Sequence, residues 1–292
     1  MLSYILLSPM SCMNKNKTNE QEIAEHYQHG NLLTAIEYAL KKQGKNKAEL
    51  SLEDLSPLDE FHIGGRTASE NFLGQLHFKP PQNILDIGCG LGGAARLVAN
   101  TYQSFVTGID LTPEYIETGN ILSDWLDLSH KVKLKQASAL DLPFEKAQFD
   151  GAYMIHVGMN IENKRQLFSE VFRVLKPQSL FGIYDVIQQS TGNLIYPVPW
   201  AENSHQSYVS NIDEYKENLL SAGFEIIALN NQRNFALDFF KQVRKKNKVN
   251  ASISRLGVHI LMKTSAHQKL INLRSNIEDN IVAPIEIIAH KC

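Results

Sequence analysis

The sequence lacks the features that mark several large classes of protein. It has only 3 cysteines, Cys12, Cys89 and Cys292, and their spacing matches neither a disulfide framework nor a zinc site, which favours a reducing compartment. Its 29 basic and 31 acidic residues leave a net charge of -2, so no overall charge attracts nucleic acid or an anionic membrane. No stretch approaches the roughly 18 apolar residues of a membrane helix. We therefore predict a cytoplasmic protein without a metal centre, a nucleic-acid partner or stable membrane insertion.

The hydrophobic content of 43% is enough for a large core, but the pattern of apolar residues changes along the chain. Residues 1–19 contain a short apolar run that no basic residue precedes, so we predict a disordered extension rather than a signal peptide. Residues 20–79 carry apolar positions at helical spacing. This spacing predicts a helical cap, with two short helices over 20–43 and another over 66–77.

From residue 80 the pattern changes to alternating strands and helices. The strand-like runs are NILDI, SFVTGID, VKLKQA, FDGAYMIH, SLFGIYDVI, FEIIALN and PIEIIAHKC. This alternation predicts an α/β fold for residues 80–292: a Rossmann-like, mostly parallel sheet of seven strands with helices on both faces. A helical insertion over about 235–280 is predicted before PIEIIAHKC, which we expect to be an edge strand.

A glycine-rich turn follows the first predicted strand. Gly88, Gly90 and Gly93 fit the spacing G-x-G-x-x-G, which suits a nucleotide-like cofactor because glycine lets the backbone approach the ligand. A turn that binds NAD usually has an apolar residue two positions before the first glycine, close to the pyrophosphate. Here that position is Asp86, whose carboxylate would repel a pyrophosphate and suits a cationic ligand such as S-adenosylmethionine. A tight turn without a ligand is the structural alternative.

Three further signals follow predicted strands, where parallel sheets bind ligands. Asp110 stands 20 residues after Gly90 and suits two ribose hydroxyls, although a helix N-cap before Thr112-Pro113 would explain it too. Leu111 and Leu140 could pack on an adenine, whose amino group would donate to Asp141 or to a backbone carbonyl; an ordinary surface loop is the alternative.

His156 follows the fourth predicted strand and would lie where the reacting atoms meet. A lone histidine is as often structural as catalytic. Aromatic residues near the predicted mouth could hold a methylated ammonium group by cation–π contact, and Asp185 is a candidate for the same positive group. These aromatics are Tyr184, Tyr196 and Trp200, and plain packing is the alternative, above all for Tyr184.

Together these segments resemble the class I S-adenosylmethionine-dependent methyltransferases. The similarity is carried by NILDIGCGLGGAARLVA, VTGIDLTPEYIETG, ASALDLPFEKAQFDGAYMIHVGMNI and SEVFRVLKPQSLFGIYDV, and it covers about residues 20–290. Within the class, the chain is most similar to bacterial N-methyltransferases of the glycine, sarcosine and dimethylglycine type. The methyltransferases of ubiquinone and menaquinone synthesis are more distant. The segments LSPLDEFHIGGRTAS, HVGMNI and YPVPWA resemble features of one subfamily.

The resemblance implies a role for each matching residue. Residues at the methionine end of the cofactor would be Asp86, Gly88, Gly90 and, in HIGG, Gly64 and Gly65. Around the adenosine it places Asp110, Leu111, Ala139 and Leu140, and around the transferred methyl group His156. We predict catalytic roles for His156 and for the aromatic residues Tyr196 and Trp200.

The resemblance also implies the reaction: transfer of a methyl group to a small molecule, with an amine nitrogen as the first candidate. A carbon or oxygen atom of a quinone or lipid-like acceptor is the alternative. Outside the class, an NAD-dependent oxidoreductase or an inactive cofactor-binding protein stays open, as does a homodimer. One departure is visible: where the family usually has Pro-Gly-Gly after the fourth helix, this chain has Pro177-Gln178-Ser179.

Overall fold

The computed structural model describes residues 19–249, 256–262 and 265–292. Most of the predicted disordered extension lies outside these residues, but Asn19 already begins the first helix. The helices are α1 (Asn19–Tyr27), α2 (Leu32–Lys42), α3 (Leu52–Asp59), α4 (Gly65–Gly74), α5 (Gly93–Thr101), α6 (Pro113–Trp125), α7 (Lys164–Val174), α8 (Ile212–Ala222), α9 (Arg233–Val249), α10 (His259–Met262) and α11 (Ala266–Glu278). The strands are β1 (Asn83–Ile87), β2 (Phe105–Asp110), β3 (Val132–Gln136), β4 (Phe149–Ile155), β5 (Leu175–Gln188), β6 (Phe224–Asn231) and β7 (Val282–Lys291).

The described residues form one seven-stranded sheet in the order β3-β2-β1-β4-β5-β7-β6. Strands β1 to β5 are parallel, and β7 runs antiparallel between β5 and β6. Buried apolar clusters cover both faces of the sheet. As a result, β1 and β4 are buried along nearly their whole length, as is typical of the interior strands of a parallel sheet. The predicted α/β fold, with its helical cap and its insertion before the last strand, is confirmed.

The prediction that the last strand lies at an edge is wrong. β7 is buried along almost its whole length and contacts a strand on each side, whereas β6 alternates between buried and exposed positions and forms the edge. The segment VAPIEIIA, which is apolar except for Glu286, already carried this signal, since a strand with one solvent-facing side alternates and an interior strand does not.

The helical cap is fixed to the sheet by charged contacts. Arg96 of α5 is fully buried and forms an ion pair of 2.7 Å with Asp59, at the end of α3. Glu114 of α6 accepts the backbone N–H groups of His29, Gly30 and Leu32, which lie at the joint between α1 and α2. These contacts place α1 to α4 over the carboxyl ends of the parallel strands.

The insertion before β7 consists of α9, α10 and α11. Asn276 of α11 both accepts from and donates to the backbone of Ile195, and Asn272 donates to Pro197 O at 2.9 Å, so the insertion is joined to the long loop after β5. None of the described helices combines the length and apolar character needed to cross a bilayer.

The departure from Pro-Gly-Gly at Pro177-Gln178-Ser179 places a non-glycine residue in a strained backbone conformation. Gln178 is exposed and has a φ of 65°, in the left-handed region that glycine adopts more easily than other residues. We expect Gln178→Gly to raise the free energy of unfolding by about 0.5–1 kcal/mol, measured by chemical denaturation. Gln178→Ala is the matched control, because it keeps the Cβ and should bring no gain. An unchanged stability in the glycine variant would contradict the local strain.

Candidate active site

A single cavity of about 1150 Å³ opens where the parallel strands end beneath the helical cap. This volume exceeds the roughly 300–1,000 Å³ of most ligand sites, so it has room for a cofactor and a second molecule. The predicted site residues that line it are Gly64, Gly65, Asp86, Gly88, Gly90, Asp110, Leu111, Ala139, Leu140, His156 and Trp200. The fold therefore brings together residues that lie up to 136 positions apart in the chain, from Gly64 to Trp200.

The glycine-rich turn between β1 and α5 forms one wall of this cavity. Gly88 has a φ of 66°, and a Cβ added there would lie 2.4 Å from a methyl group of Val157. Gly90 has a φ of 52°, and a Cβ there would extend into open space. A side chain is therefore excluded at Gly88 by the packing against Val157, and at Gly90 it would have space but would strain the backbone. The turn exposes its backbone to a ligand.

Asp86 lies at the carboxyl end of β1, and only 2% of its surface is exposed. Its Oδ2 has no hydrogen-bond partner within the described part of the chain. Burial raises the pKa of this carboxyl to about 8, and the nearby carboxylates of Asp110 and Glu60 act in the same direction. A cationic ligand group would supply the missing partner and favour the charged form.

Asp110 lies at the end of β2 and holds the turn in place. Its Oδ2 accepts the Gly90 N–H at 3.0 Å, and its Oδ1 accepts the Thr112 N–H at 2.9 Å. Burial raises the pKa of the Asp110 carboxyl, while these backbone donors oppose the shift. Asp110 therefore fixes the chain just before α6 and lines the cavity, but the N-cap of α6 is Thr112, so the N-cap alternative for Asp110 is wrong. The exposed Asp141 lies outside the cavity wall.

His156 follows β4 in a strained backbone conformation. Its φ is 55°, and its backbone N–H donates to Tyr184 O at 2.7 Å. Its Nε2 is fully buried and has no hydrogen-bond partner among the described residues. Burial, reinforced by neighbouring His62, holds the pKa of His156 well below its usual range, so the ring is neutral at pH 7.

The segment after α3 adds a polar group that the sequence analysis did not single out. His62 Nε2 lies 3.2 Å from Gly65 O and 3.1 Å from Ser69 Oγ, and Ser69 Oγ donates to Glu60 Oε2 at 2.6 Å. Arg66 pairs with the other oxygen of Glu60 at 3.0 Å. The motif LSPLDEFHIGGRTAS contained all four side chains, but only the fold shows that they form a hydrogen-bonded chain.

Helix α1 closes the cavity from the N-terminal side. Tyr27 Oη donates to Asn160 Oδ1 at 3.2 Å, and Ser138 Oγ donates to Glu20. Both Glu20 and Tyr27 line the cavity. The apolar spacing in this segment predicted the helix, but it did not show that Tyr27 faces the site.

Of the three predicted aromatic residues, one lines the cavity and two lie elsewhere. Trp200 lines the cavity and donates through Nε1 to Ser207 Oγ at 2.9 Å. Tyr196 packs against the same apolar cluster as Trp200 but lies outside the cavity wall, so its predicted catalytic position is not reproduced. Tyr184 is buried and donates to Ile63 O at 3.0 Å, which is the packing alternative.

Asp185 also lies outside the cavity wall, contrary to its predicted role. It is fully buried, and its carboxylate accepts from the Gly158 N–H at 2.7 Å, from Tyr215 Oη at 2.7 Å and from the Val186 N–H at 2.8 Å. The side chain of Asp185 points into the core beneath α8, where these three donors satisfy its carboxylate.

The part of the cavity beneath the insertion is mostly apolar. Its apolar wall there comes from Ile63, Phe239, Phe240, Val243, Val258, Leu261, Leu270, Ile271 and Leu273, and the same helices add three basic residues, Arg244, His267 and Arg274. Ile271 is 44% exposed, so one side of this region opens to solvent. In contrast, the region around β1 and β2 carries the carboxylates Asp86 and Asp110. The cavity thus has a polar end and an apolar end.

Residues 85–183 match the family model described as "Methyltransferase domain". The chain carries a methyltransferase domain. The matched range holds the glycine-rich turn, the end of β2 and His156, so the domain and the polar end of the cavity coincide. This match confirms the predicted methyltransferase domain over residues 85–183.

Two curated relatives are methyltransferases by name. An O-methyltransferase of Pyrenophora dematioidea is 30% identical over 173 residues, which is 59% of this chain and 65% of that protein. The tocopherol O-methyltransferase, chloroplastic, of Oryza sativa subsp. japonica is 40% identical over 99 residues, 34% of this chain and 27% of that protein. The chain therefore spans less than two thirds of the length of these relatives.

Solved structures share the fold over nearly the whole chain. Phosphoethanolamine N-methyltransferase 2 of Haemonchus contortus, in complex with S-adenosyl-L-methionine, superposes with a TM-score of 0.71. The superposition covers 95% of this chain and 60% of that chain at 18% identity. The likeness extends beyond the matched domain to the cap and the insertion.

Proposed function

We propose that this protein transfers the methyl group of S-adenosylmethionine to an apolar small molecule, at an oxygen or carbon atom. The observation that carries the proposal is the two-ended cavity, which places two buried carboxylates at the strand ends and an apolar wall beneath the insertion. The polar end suits the cofactor, and the apolar end suits the acceptor.

The residues of the polar end fit S-adenosylmethionine. Asp86 Oδ2 is buried without a partner and would accept the ammonium group of the methionine part. Asp110 would accept the ribose hydroxyls through lone pairs that its two backbone donors leave free, with Leu111 and Leu140 beside the adenine. When bound, the cofactor supplies an already activated methyl group. NAD fits less well, since its pyrophosphate would face Asp86.

The apolar end favours the second predicted acceptor class over the first. A small amine such as sarcosine would leave most of the apolar wall, which includes Phe240 and Ile271, without a contact, although Arg244 or Arg274 could pair with its carboxylate. A lipid-like phenol, quinol or alkene would bury its apolar part there. The two curated relatives described above are named O-methyltransferases, which supports the same choice.

The chain's own residues align the acceptor and exclude water. The cap helices and the insertion cover the cavity from two sides, and such positioning alone is worth roughly 7–11 kcal/mol of an activation barrier. Trp200 lies in the wall and would orient a flat acceptor ring by stacking.

The test is a screen of purified protein with labelled S-adenosylmethionine and two matched acceptor sets. One set contains alkylphenols, prenylated quinols and sterol-like alkenes; the other contains glycine, sarcosine and dimethylglycine. We expect transfer to members of the first set. Transfer only to the amines would overturn the acceptor class, and no transfer to either set, together with no cofactor binding, would overturn the function.

A variant of the apolar wall tests the acceptor end directly. We expect Ile271→Gln to raise the KM for an apolar acceptor about five- to tenfold, because a half-exposed isoleucine loses part of the roughly 1.5–3 kcal/mol of its burial. The affinity for the cofactor should not change. Leu220→Gln is the control, since Leu220 is 59% exposed on α8 and lies outside the cavity. Equal KM values for the two variants would contradict the assignment of this wall to the acceptor.

A further inference from the structure

His62 enters the cavity with the tautomer of its ring fixed by its surroundings. A carbonyl oxygen only accepts hydrogen bonds, so the contact between Nε2 and Gly65 O requires the proton on Nε2. Ser69 Oγ accepts from the same N–H at 3.1 Å, because its own proton is donated to Glu60. Nδ1 therefore carries the lone pair of the neutral ring.

The lone pair on His62 Nδ1 is available to a ligand. Within the described residues Nδ1 has no hydrogen-bond partner, and it is not sealed in the interior as His156 Nε2 is. His62 lines the cavity, and its ring centroid lies 5.8 Å from that of His156, the predicted methyl-transfer position. Tyr184 holds the segment in place by donating to Ile63 O.

We infer that His62, Ser69 and Glu60 form a proton relay that removes the hydroxyl proton of the acceptor during methyl transfer. This inference rests on the proposed function and specifies it, because a relay is needed for an O–H acceptor. His62 Nδ1 takes the proton, Ser69 passes a proton on, and Glu60 is the final acceptor. His156 lines the cavity beside them, and its buried Nε2 has no contact with the relay.

The step balances in atoms and charge. The acceptor oxygen forms its bond to the methyl carbon as the bond from that carbon to the sulfonium sulfur breaks, and the sulfur keeps the electron pair. The hydroxyl proton moves to His62 Nδ1, the Nε2 proton moves to Ser69 Oγ, and the Ser69 proton moves to Glu60 Oε2. The positive charge on sulfur and the negative charge on Glu60 disappear together.

The proton affinities along the relay support this direction. Burial raises the pKa of Glu60 to about 7, and Asp59 adds to the shift. Burial lowers the pKa of His62 to about 4, so the ring passes a proton on rather than retaining it. The charged and titratable groups around Glu60 are Asp59, His62, Arg66, Asp86 and Arg96.

The relay predicts how activity depends on pH. Glu60 must be ionised to accept the proton, so kcat at saturating cofactor and acceptor should rise with pH through about 7 and level off above it. Glu60→Gln keeps a hydrogen-bond acceptor for Ser69 but removes the proton acceptor. We expect this variant to lose that rise in kcat.

The deciding variant is His62→Gln, whose amide nitrogen can still donate to Gly65 O and Ser69 while no basic nitrogen remains. With the best hydroxyl acceptor of the screen, we expect kcat to fall about 100-fold or more, the usual contribution of a general base. The affinity for S-adenosylmethionine by calorimetry and the melting temperature should stay close to those of the unaltered protein. Ser69→Ala should lower kcat similarly.

A second measurement does not depend on turnover. Nitrogen-15 NMR of histidine-labelled protein, assigned with His62→Gln, should show neutral His62 with its proton on Nε2 from about pH 6 to pH 8. A proton on Nδ1, or an unchanged kcat and pH profile in His62→Gln, would overturn the relay alone. Failure of the unaltered protein to methylate any acceptor would instead overturn the proposed function.

Discussion

Replacing Asp110 with alanine is expected to weaken the binding of S-adenosylmethionine by about 100-fold or more. The carboxylate accepts the backbone N–H groups of Gly90 and Thr112 and would also accept the ribose hydroxyls. Hydrogen bonds to a charged group contribute about 1.5–3 kcal/mol each, and about 1.4 kcal/mol corresponds to a tenfold change in affinity. Loss of the ribose contacts and release of the glycine turn therefore act in the same direction. Isothermal titration calorimetry measures the change.

The matched control for this substitution is Asp124→Ala. Asp124 is an exposed carboxylate on α6, the helix that begins after Asp110, and it does not line the cavity. Its removal changes the net charge equally and should leave the affinity within about twofold. If Asp110→Ala binds the cofactor as tightly as this control, the ribose role of Asp110 is wrong and the residue only holds the backbone of Gly90 and Thr112.

The affinity for S-adenosylmethionine should rise roughly 30-fold from about pH 5.5 to about pH 7, because Asp86 must lose its proton to bind an ammonium group. Burial raises the pKa of the Asp86 carboxyl to about 8, so the ligand-free protein holds this proton at pH 7 and releases it on binding. Calorimetry in buffers of different ionisation enthalpy counts the released proton. The ammonium group of the ligand stays charged over this range.

Asp86→Asn removes the negative charge of the side chain but keeps its shape, so it tests whether the charge is responsible. The variant should bind more weakly at pH 7, release no proton and show little dependence on pH over the same range. A variant that keeps the full pH dependence would show that another group is responsible, and Asp110 would then be the first to test.

The Asp86 carboxyl should also make the stability of the ligand-free protein depend on pH. The pKa of Asp86 is higher in the folded than in the unfolded chain, where an aspartate titrates near pH 4. Its contribution to the free energy of unfolding is therefore fully present below about pH 4 and is lost as the pH rises towards 8. Asp86→Asn should remove this part of the decline, which denaturant unfolding at several pH values measures.

The polar end of the cavity could be predicted from the sequence because its signals are local. A strand, a glycine turn and a helix follow one another within residues 83–101, and Asp86 stands at a fixed place in that unit. Asp110 ends the next strand for the same reason. The parallel sheet then brings these strand ends together, so the predicted cofactor residues other than Asp141 line one cavity.

The acceptor end could not be predicted in this way. Trp200 faces the cavity while Tyr196, four residues earlier, does not, and no periodic pattern marks the loop that carries both. The apolar wall comes from α9 to α11, whose apolar residues look like ordinary core positions in the sequence. The place of β7 inside the sheet likewise depends on pairing with strands distant in the chain.

The sequence by itself determined the α/β class, the methyltransferase domain and the residues at the cofactor end, because strand, turn and helix signals act over a few residues. Only the tertiary structure decided that His62 has a free Nδ1, that Asp185 is occupied by Tyr215 and two backbone donors, and that apolar residues of the insertion line one end of the cavity. These features depend on contacts between distant segments, which fix side-chain orientation, protonation and access to the cavity together.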